Sequence, residues 1–213
     1  MNSVTNQLAL LAQRIGEPES EDDRRFSPAQ LLAELNPARR RVAELTQSLQ
    51  CDDSQSTTVG GKLYNLPLDV IDFYELEYDG LPLDLLPVDE WRRRIGDDDT
   101  LRGASTVAKY HARQIQLFPV PDAVKTLRYY GYCYPTALVI GGTDSEFTID
   151  QEEAAIWLAA AVLKATDERD ATFQRDQADN IIKALAAQYK PKGPRFTKSR
   201  SVIDPARILL GGS

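Results

Sequence analysis

The sequence holds one histidine, His111, and therefore one imidazole available for acid–base or triad chemistry. It follows Tyr110 in a stretch that reads as a hairpin turn, and no G-x-S-x-G motif accompanies it. A surface or structural histidine is expected. Asp97-Asp98-Asp99 offers the oxygen ligands that Mg²⁺ or Ca²⁺ would take, but without EF-hand spacing it reads as a solvated loop. Glu152 and Glu153 resemble paired carboxylates; their place in the first turn of a helix is explained by attraction to its positive end. Val59-Gly60-Gly61-Lys62 suggests a phosphate loop, whose G-x-x-x-x-G-K-[ST] pattern needs Ser or Thr after the Lys. That position is Leu63, so the motif fails. Arg92-Arg93-Arg94 could meet phosphates or an acidic partner, but reads first as a solvated helix face. Tyr129, Tyr130, Tyr132 and Tyr134, beside Arg128, could stack on bases. In a strand they would alternate faces, so about half are expected in the core. These residues predict no catalytic group, no bound metal and no cofactor.

Composition narrows the class. The chain has 213 residues, 42% apolar and 27% charged, enough apolar material for a true core. Its 25 Lys and Arg against 32 Asp and Glu give a net charge of −7, the wrong sign for a dedicated nucleic-acid binder. Cys51 and Cys133 are the two cysteines, far apart and outside any CxxC, so neither a disulfide framework nor a Cys-type zinc site is expected. The longest apolar run, Ala154 to Leu163, is too short to span a bilayer, and Met1-Asn2-Ser3-Val4 lacks the basic start of a signal peptide. The expectation is a soluble, reduced, cytosolic protein.

The elements follow from periodicity. Val4, Leu8, Leu11 and Ile15 mark one face of a helix, with Gly16 as its stop. Ser27-Pro28-Ala29-Gln30 predicts a helix start with a capping box. At Asn36-Pro37 either this helix kinks or a new one begins, carrying Val42, Leu45 and Leu49. Residues 51–58 are polar and read as a loop. Val70 to Tyr78 reads as a strand, Asp79-Gly80 as a hairpin turn, and Leu81-Pro82-Leu83 as a short edge strand. A short helix is expected over Pro87 to Ile95, then strands over Ala108 to Tyr110, Gln114 to Phe118 and Lys125 to Tyr132. Thr148 or Asp150 caps an Ala-rich helix. It either runs for about 40 residues or breaks near Thr166–Asp170.

The last segment differs from the rest. Residues 190–213 hold six basic residues against one acid, three prolines, and an apolar end at Ile208-Leu209-Leu210. This is the composition of an arm. The reading is an α+β protein, a helical bundle with an inserted small antiparallel β-domain and an extended C-terminal arm. Its parts are N-terminal helices (1–58), a β-rich insertion (59–145), C-terminal helices packing back on the first ones (146–190), and the arm (191–213).

Several segments, in order, resemble the head-to-tail adaptor (connector) proteins of tailed bacteriophages. They are Ser27-Pro28-Ala29-Gln30-Leu31-Leu32 leading to Leu35-Asn36-Pro37-Ala38-Arg39, and Gly61-Lys62-Leu63-Tyr64-Asn65-Leu66-Pro67-Leu68-Asp69 before the β insertion. Ile115-Gln116-Leu117-Phe118-Pro119-Val120-Pro121-Asp122, Leu127-Arg128-Tyr129-Tyr130 and the acid-capped helix from Asp150 complete them. The resemblance implies a structural virion protein made in the host cytoplasm and placed at the neck. There a homo-oligomeric ring, usually dodecameric, would join the portal protein to a tail or nozzle protein. Double-stranded DNA would pass through its channel without sequence-specific binding, and no membrane is involved. It also implies a C-terminal arm on the portal, which places the contacts at Arg195, Phe196, Arg200, Ile203, Ile208, Leu209 and Leu210. The alternatives are a small metal-dependent hydrolase or nuclease built on Asp97–Asp99 or Glu152 and Glu153, and a cytosolic regulator whose basic tail binds nucleic acid.

Overall fold

The structure, a computed structural model, describes residues 2–18, 24–96, 100–144 and 146–189. In chain order the elements are β1 (Asn2–Ser3), α1 (Val4–Ile15), α2 (Pro28–Thr46), β2 (Gln50–Ser56), β3 (Leu63–Asn65), β4 (Val70–Tyr78), β5 (Leu81–Pro82) and β6 (Asp84–Leu85). Then come α3 (Val88–Arg94), β7 (Val107–His111), β8 (Gln114–Phe118), β9 (Thr126–Cys133), β10 (Thr143–Asp144), α4 (Ile149–Thr166) and α5 (Thr172–Tyr189). The class is α+β, as expected. Two compact units are formed. One takes the chain up to Cys51, Pro67–Phe73, and Gly131 through α5; the other takes Asp52–Leu66 and Tyr74–Tyr130.

The first unit is a four-helix core. Val4, Leu8, Leu11 and Ile15 of α1 are buried together with Leu31, Leu35 and Val42 of α2, Ile156 and Leu163 of α4, and Ile182 and Leu185 of α5. α4 packs on the other three helices. Its Ala154, Ala155, Ala159 and Ala160 are fully buried, and these small side chains let three neighbours approach one helix. The apolar run from Ala154 to Leu163 is therefore a central helix, apolar around most of its circumference. No helix among the described residues is long and apolar enough to cross a membrane.

The caps stand where the sequence puts them. Ser27 and Thr148 each close a capping box, with Gln30 and Gln151, and Gly16 ends α1 in the left-handed conformation. The long C-terminal helix is two helices. The break falls over residues 167–171, where Glu168 takes a φ of 55° and Asp170 accepts from the Thr172 N–H.

β4 and β5 form the expected hairpin, with Asp79 and Gly80 both at positive φ in the turn and β5 at the sheet edge. β1 pairs with β10, one four-stranded sheet has the order β2-β9-β4-β5, and a second four-stranded sheet is β3-β8-β7-β6. In the latter, β7 and β8 pair from Val107↔Phe118 to His111↔Gln114 around Ala112 and Arg113, and β6 joins β7 in parallel. α3 covers this sheet through Trp91, 1% exposed, whose ring meets Phe118 edge-on at 6.3 Å.

Two expectations need correction, and one open alternative is settled. The polar stretch after Cys51 is strand rather than loop. β2 is an edge strand, mostly exposed on both faces, so no apolar alternation marks it and backbone pairing with β9 defines it. Asn36 does not cap a new helix, for α2 continues through Pro37 to Thr46. Leu45 is 43% exposed and Leu49 lies beyond the helix, so the stripe expected from Val42 does not persist. Cys51 and Cys133 form a disulfide, against the expectation of none. They are distant in sequence, but β2 and β9 are sheet neighbours, which places the two Cα atoms 5.8 Å apart.

Candidate functional site

Of the residues singled out for chemistry, those the structure describes lie on separate elements. His111 ends β7 across from Gln114, with its side chain exposed. Glu152 and Glu153 point apart. Buried Glu152 accepts from Gln7 Nε2 at 3.0 Å, whereas Glu153 accepts from Trp157 Nε1 at 3.3 Å and lies 3.9 Å from Arg14. Asp97, Asp98 and Asp99 lie outside the described residues, as do Arg195, Phe196, Arg200, Ile203, Ile208, Leu209 and Leu210. Among the described residues no group of three or more His, Cys, Asp or Glu side chains is placed to hold a metal ion.

The glycine loop at Gly60-Gly61 closes on itself. Tyr64 Oη donates to the Gly61 carbonyl at 2.8 Å and accepts from the Thr58 N–H at 3.2 Å. A Cβ on Gly61 would fall 2.3 Å from Thr58 Oγ1, so packing, not phosphate, explains this glycine. Arg92, Arg93 and Arg94 occupy the last turn of α3, where cations meet the negative helix end; Arg94 pairs with Glu90 and Arg93 Nε reaches the Asp89 carbonyl.

Half of the clustered tyrosines are in the core, though not by strict alternation along the strand. Tyr129 and Tyr132 are buried, while Tyr130 and Tyr134 are half-buried. Tyr129 donates to Asp53 at 2.8 Å and Tyr130 to Glu77 at 3.3 Å. Arg128 binds Asp52 with two N–H groups, which holds that carboxyl below its usual range. Arg128, Tyr129 and Tyr130 are thus tied up in side-chain pairs within their own sheet.

One concave feature of the first unit includes charged side chains in its lining. A cleft of about 320 Å³ lies between α2, which supplies Asn36, Arg39 and Arg40, and residues 134–137, with Leu68 and Asp69 at its lip. Arg39 is 1% exposed. Its Nη1 donates to the Thr136 carbonyl at 2.9 Å, and its guanidinium lies 4.6 Å from the centre of the Phe147 ring. The Arg40 guanidinium lies 4.2 Å from the centre of the Tyr134 ring.

Hydrogen bonds fix both walls. The Tyr134 hydroxyl donates to Glu44 at 2.6 Å, and its N–H donates to the Asp69 carbonyl at 2.7 Å. Glu146 accepts from the Thr136 N–H at 2.7 Å and from its hydroxyl at 2.6 Å. The Tyr134 hydroxyl and the Arg41 guanidinium both stabilise the ionised Glu44 carboxyl, which is held below its usual range; Tyr134 is raised in return, first by Glu44. Sequence reasoning does not find this cleft, because Arg39-Arg40 and Tyr134 are brought together only by the fold. A second groove, about 540 Å³, runs along α1 past Asn6, Ala9, Leu10 and Gln13 to Glu17 and Arg24.

The described residues form a helical unit and a β-rich unit. The chain belongs to the SU10 adaptor protein family, which matches residues 4–198. No curated protein matches the chain. The protein has the structural role of a phage adaptor. The segments that carry the resemblance fall on ordered elements. Gly61–Asp69 leads through β3 to β4, and Ile115–Asp122 is β8 followed by a cis Phe118–Pro119 bond.

Proposed function

We propose that the protein forms a ring, of twelve copies in the usual arrangement, at the neck of the virion. It would join the capsid portal to a tail or nozzle protein and leave a channel for double-stranded DNA. The observation that carries this reading is membership of an adaptor family over residues 4–198, nearly the whole chain. Charge supports it. The chain is acidic overall at −7, and its basic residues gather toward the C-terminus. An acidic body does not retain a phosphate backbone by counterion release, so DNA can pass without sticking.

The arm, residues 191–213, docks on the portal in this reading, with Arg195, Phe196, Arg200, Ile203, Ile208, Leu209 and Leu210 as contacts. Basic groups with an apolar end suit an acidic, grooved partner, and many weak arms on one ring give strong total binding.

Native mass measurement tests the proposal, on the protein alone and mixed with the portal protein of the same genome. A discrete, ring-sized gain on mixing is expected, lost on deleting residues 191–213. No gain with a well-formed portal ring overturns the adaptor reading. A gain that survives the deletion overturns only the assignment of the arm.

A further inference from the structure

The longest strand at a sheet edge among the described residues is β2, of 7 residues; the other edges of the two four-stranded sheets, β3, β5 and β6, have 3, 2 and 2. We propose that β2 accepts the C-terminal arm of a second copy as an added strand, through residues 195–203.

The backbone of β2 is open on one side. The Thr57 N–H donates to the Lys125 carbonyl at 2.7 Å, and the Leu49 carbonyl accepts from the Cys133 N–H at 3.0 Å, with equal spacing on the two strands. Pairing is therefore antiparallel and in one register. Odd-numbered residues direct their backbone groups at β9, whereas Gln50, Asp52, Ser54 and Ser56 turn theirs outward. No described strand lies along that side, and the Ser54 N–H meets only the adjacent Asp53 carboxylate, at 2.6 Å.

Monomeric proteins guard such edges with proline, lysine or a bulge. β5 carries Pro82; β2 carries neither residue, and its even spacing leaves no bulge. The Cys51–Cys133 disulfide ties the start of β2 to β9, so the edge is held extended before a partner arrives.

The chain itself supplies a matching segment. Residues 190–213 follow the end of α5, and within them the stretch between Pro194 and Pro205 is free of proline and long enough to lie along all of β2. Phe196, Thr197, Val202 and Ile203 favour extended backbone. Residues 195–203 include the cations Arg195, Lys198 and Arg200 and no acid. β2 has the opposite character, with Asp52 and Asp53 exposed and no base. Asp52 is paired with Arg128 of β9. Asp53 meets the Tyr129 hydroxyl and the Ser54 N–H, and no cation among the described residues.

Strand addition uses backbone groups. The arm side chains assigned above to the portal would stay available on the two faces of the added strand, and Ile208-Leu209-Leu210 lie beyond Pro205. Each arm would strap the next copy, a head-to-tail contact of the kind that closes into a ring. The inference rests on the ring reading for its place in the virion, and not on the portal contact.

Photo-crosslinking on the full chain, without portal protein, tests this, with benzoylphenylalanine replacing Phe196. An adduct of two-chain mass is expected, joined to residues 50–58. Ser54→Pro removes an outward N–H and keeps the bonds to β9. It should cut the adduct roughly tenfold at an unchanged melting temperature. Arg200→Glu lies in the arm, outside the folded units, and should cut the adduct several-fold, as should added salt. No adduct, an adduct of one-chain mass, an adduct joined elsewhere, or an adduct unchanged in both variants would each overturn the proposal. The mass gain on mixing with portal protein is a separate measurement, so either reading can fail alone.

Discussion

Asn36, in the middle of α2, pairs with both backbone groups of Leu138. Its Oδ1 accepts from the Leu138 N–H at 2.8 Å, and its Nδ2 donates to the Leu138 carbonyl at 3.2 Å. One amide side chain thus does for an irregular segment what a neighbouring strand does elsewhere, across 102 residues of sequence. Asn36→Leu removes both bonds and strands two backbone groups in a partly buried site. The expected loss is about 1–3 kcal/mol, read from urea unfolding. Asn36→Asp keeps the acceptor and should cost less. Pro37→Ala restores a backbone N–H to an exposed helical position and should leave stability unchanged or raise it.

The Cys51–Cys133 bond closes a loop over a sequence separation of 82 residues, long enough to restrict the unfolded chain substantially. Cys51→Ser is expected to cost about 2–4 kcal/mol, and reduction of the wild type should cost the same. Thiol titration of the denatured, unreduced protein checks the starting state, since neither cysteine should react. If both react, and reductant leaves the urea midpoint in place, the bond plays no part in stability.

Much of this architecture is legible from residues alone, where local and tertiary demands coincide. Val4, Leu8, Leu11 and Ile15 are buried together because a surface helix must turn its apolar face inward. Ser27 and Thr148 cap where they stand because the orphan N–H groups of a helix start need acceptors within reach. Asp79-Gly80 turns the chain because both positions can take positive φ. Long-range pairing is what the sequence conceals. β2 carries polar residues on both faces, and only its partner β9 makes it a strand. Nothing near Cys51 announces Cys133, and nothing near Asn36 announces Leu138. Arg40 reads as an ordinary helix-surface cation until the fold places Tyr134 beneath it.

Gly131 shows how a strand position can demand glycine without an unusual φ. A Cβ there would fall 2.3 Å from the Asp72 carbonyl oxygen and 3.0 Å from Phe73 Cα, both backbone atoms that cannot rotate away. The burial alternation of β9 also fails here, with Gly131 and Tyr132 buried in succession. Gly131→Ala should push two chain segments apart and cost about 1–3 kcal/mol, the range of overpacked cores. An unchanged melting temperature would refute this tight approach.

The Glu44–Tyr134 pair makes acid sensitivity a local property. Glu44 ionises more readily in the folded protein than unfolded, first because Tyr134 donates to it and then because Arg41 does. Its stabilising contribution is therefore complete above the unfolded value of about 4.3 and is lost as pH falls through the lower folded one. Tyr134→Phe removes the larger cause and draws the two values together. The expected result is a stability gap between wild type and Tyr134→Phe that is widest near neutral pH and narrows below about pH 4. Tyr134 itself is raised, first by Glu44, so on the alkaline side the wild type should lose stability as pH rises past about 10. Urea midpoints of both proteins across this range decide the matter, for a gap that stays constant with pH would mean the hydroxyl does not act through the Glu44 carboxylate.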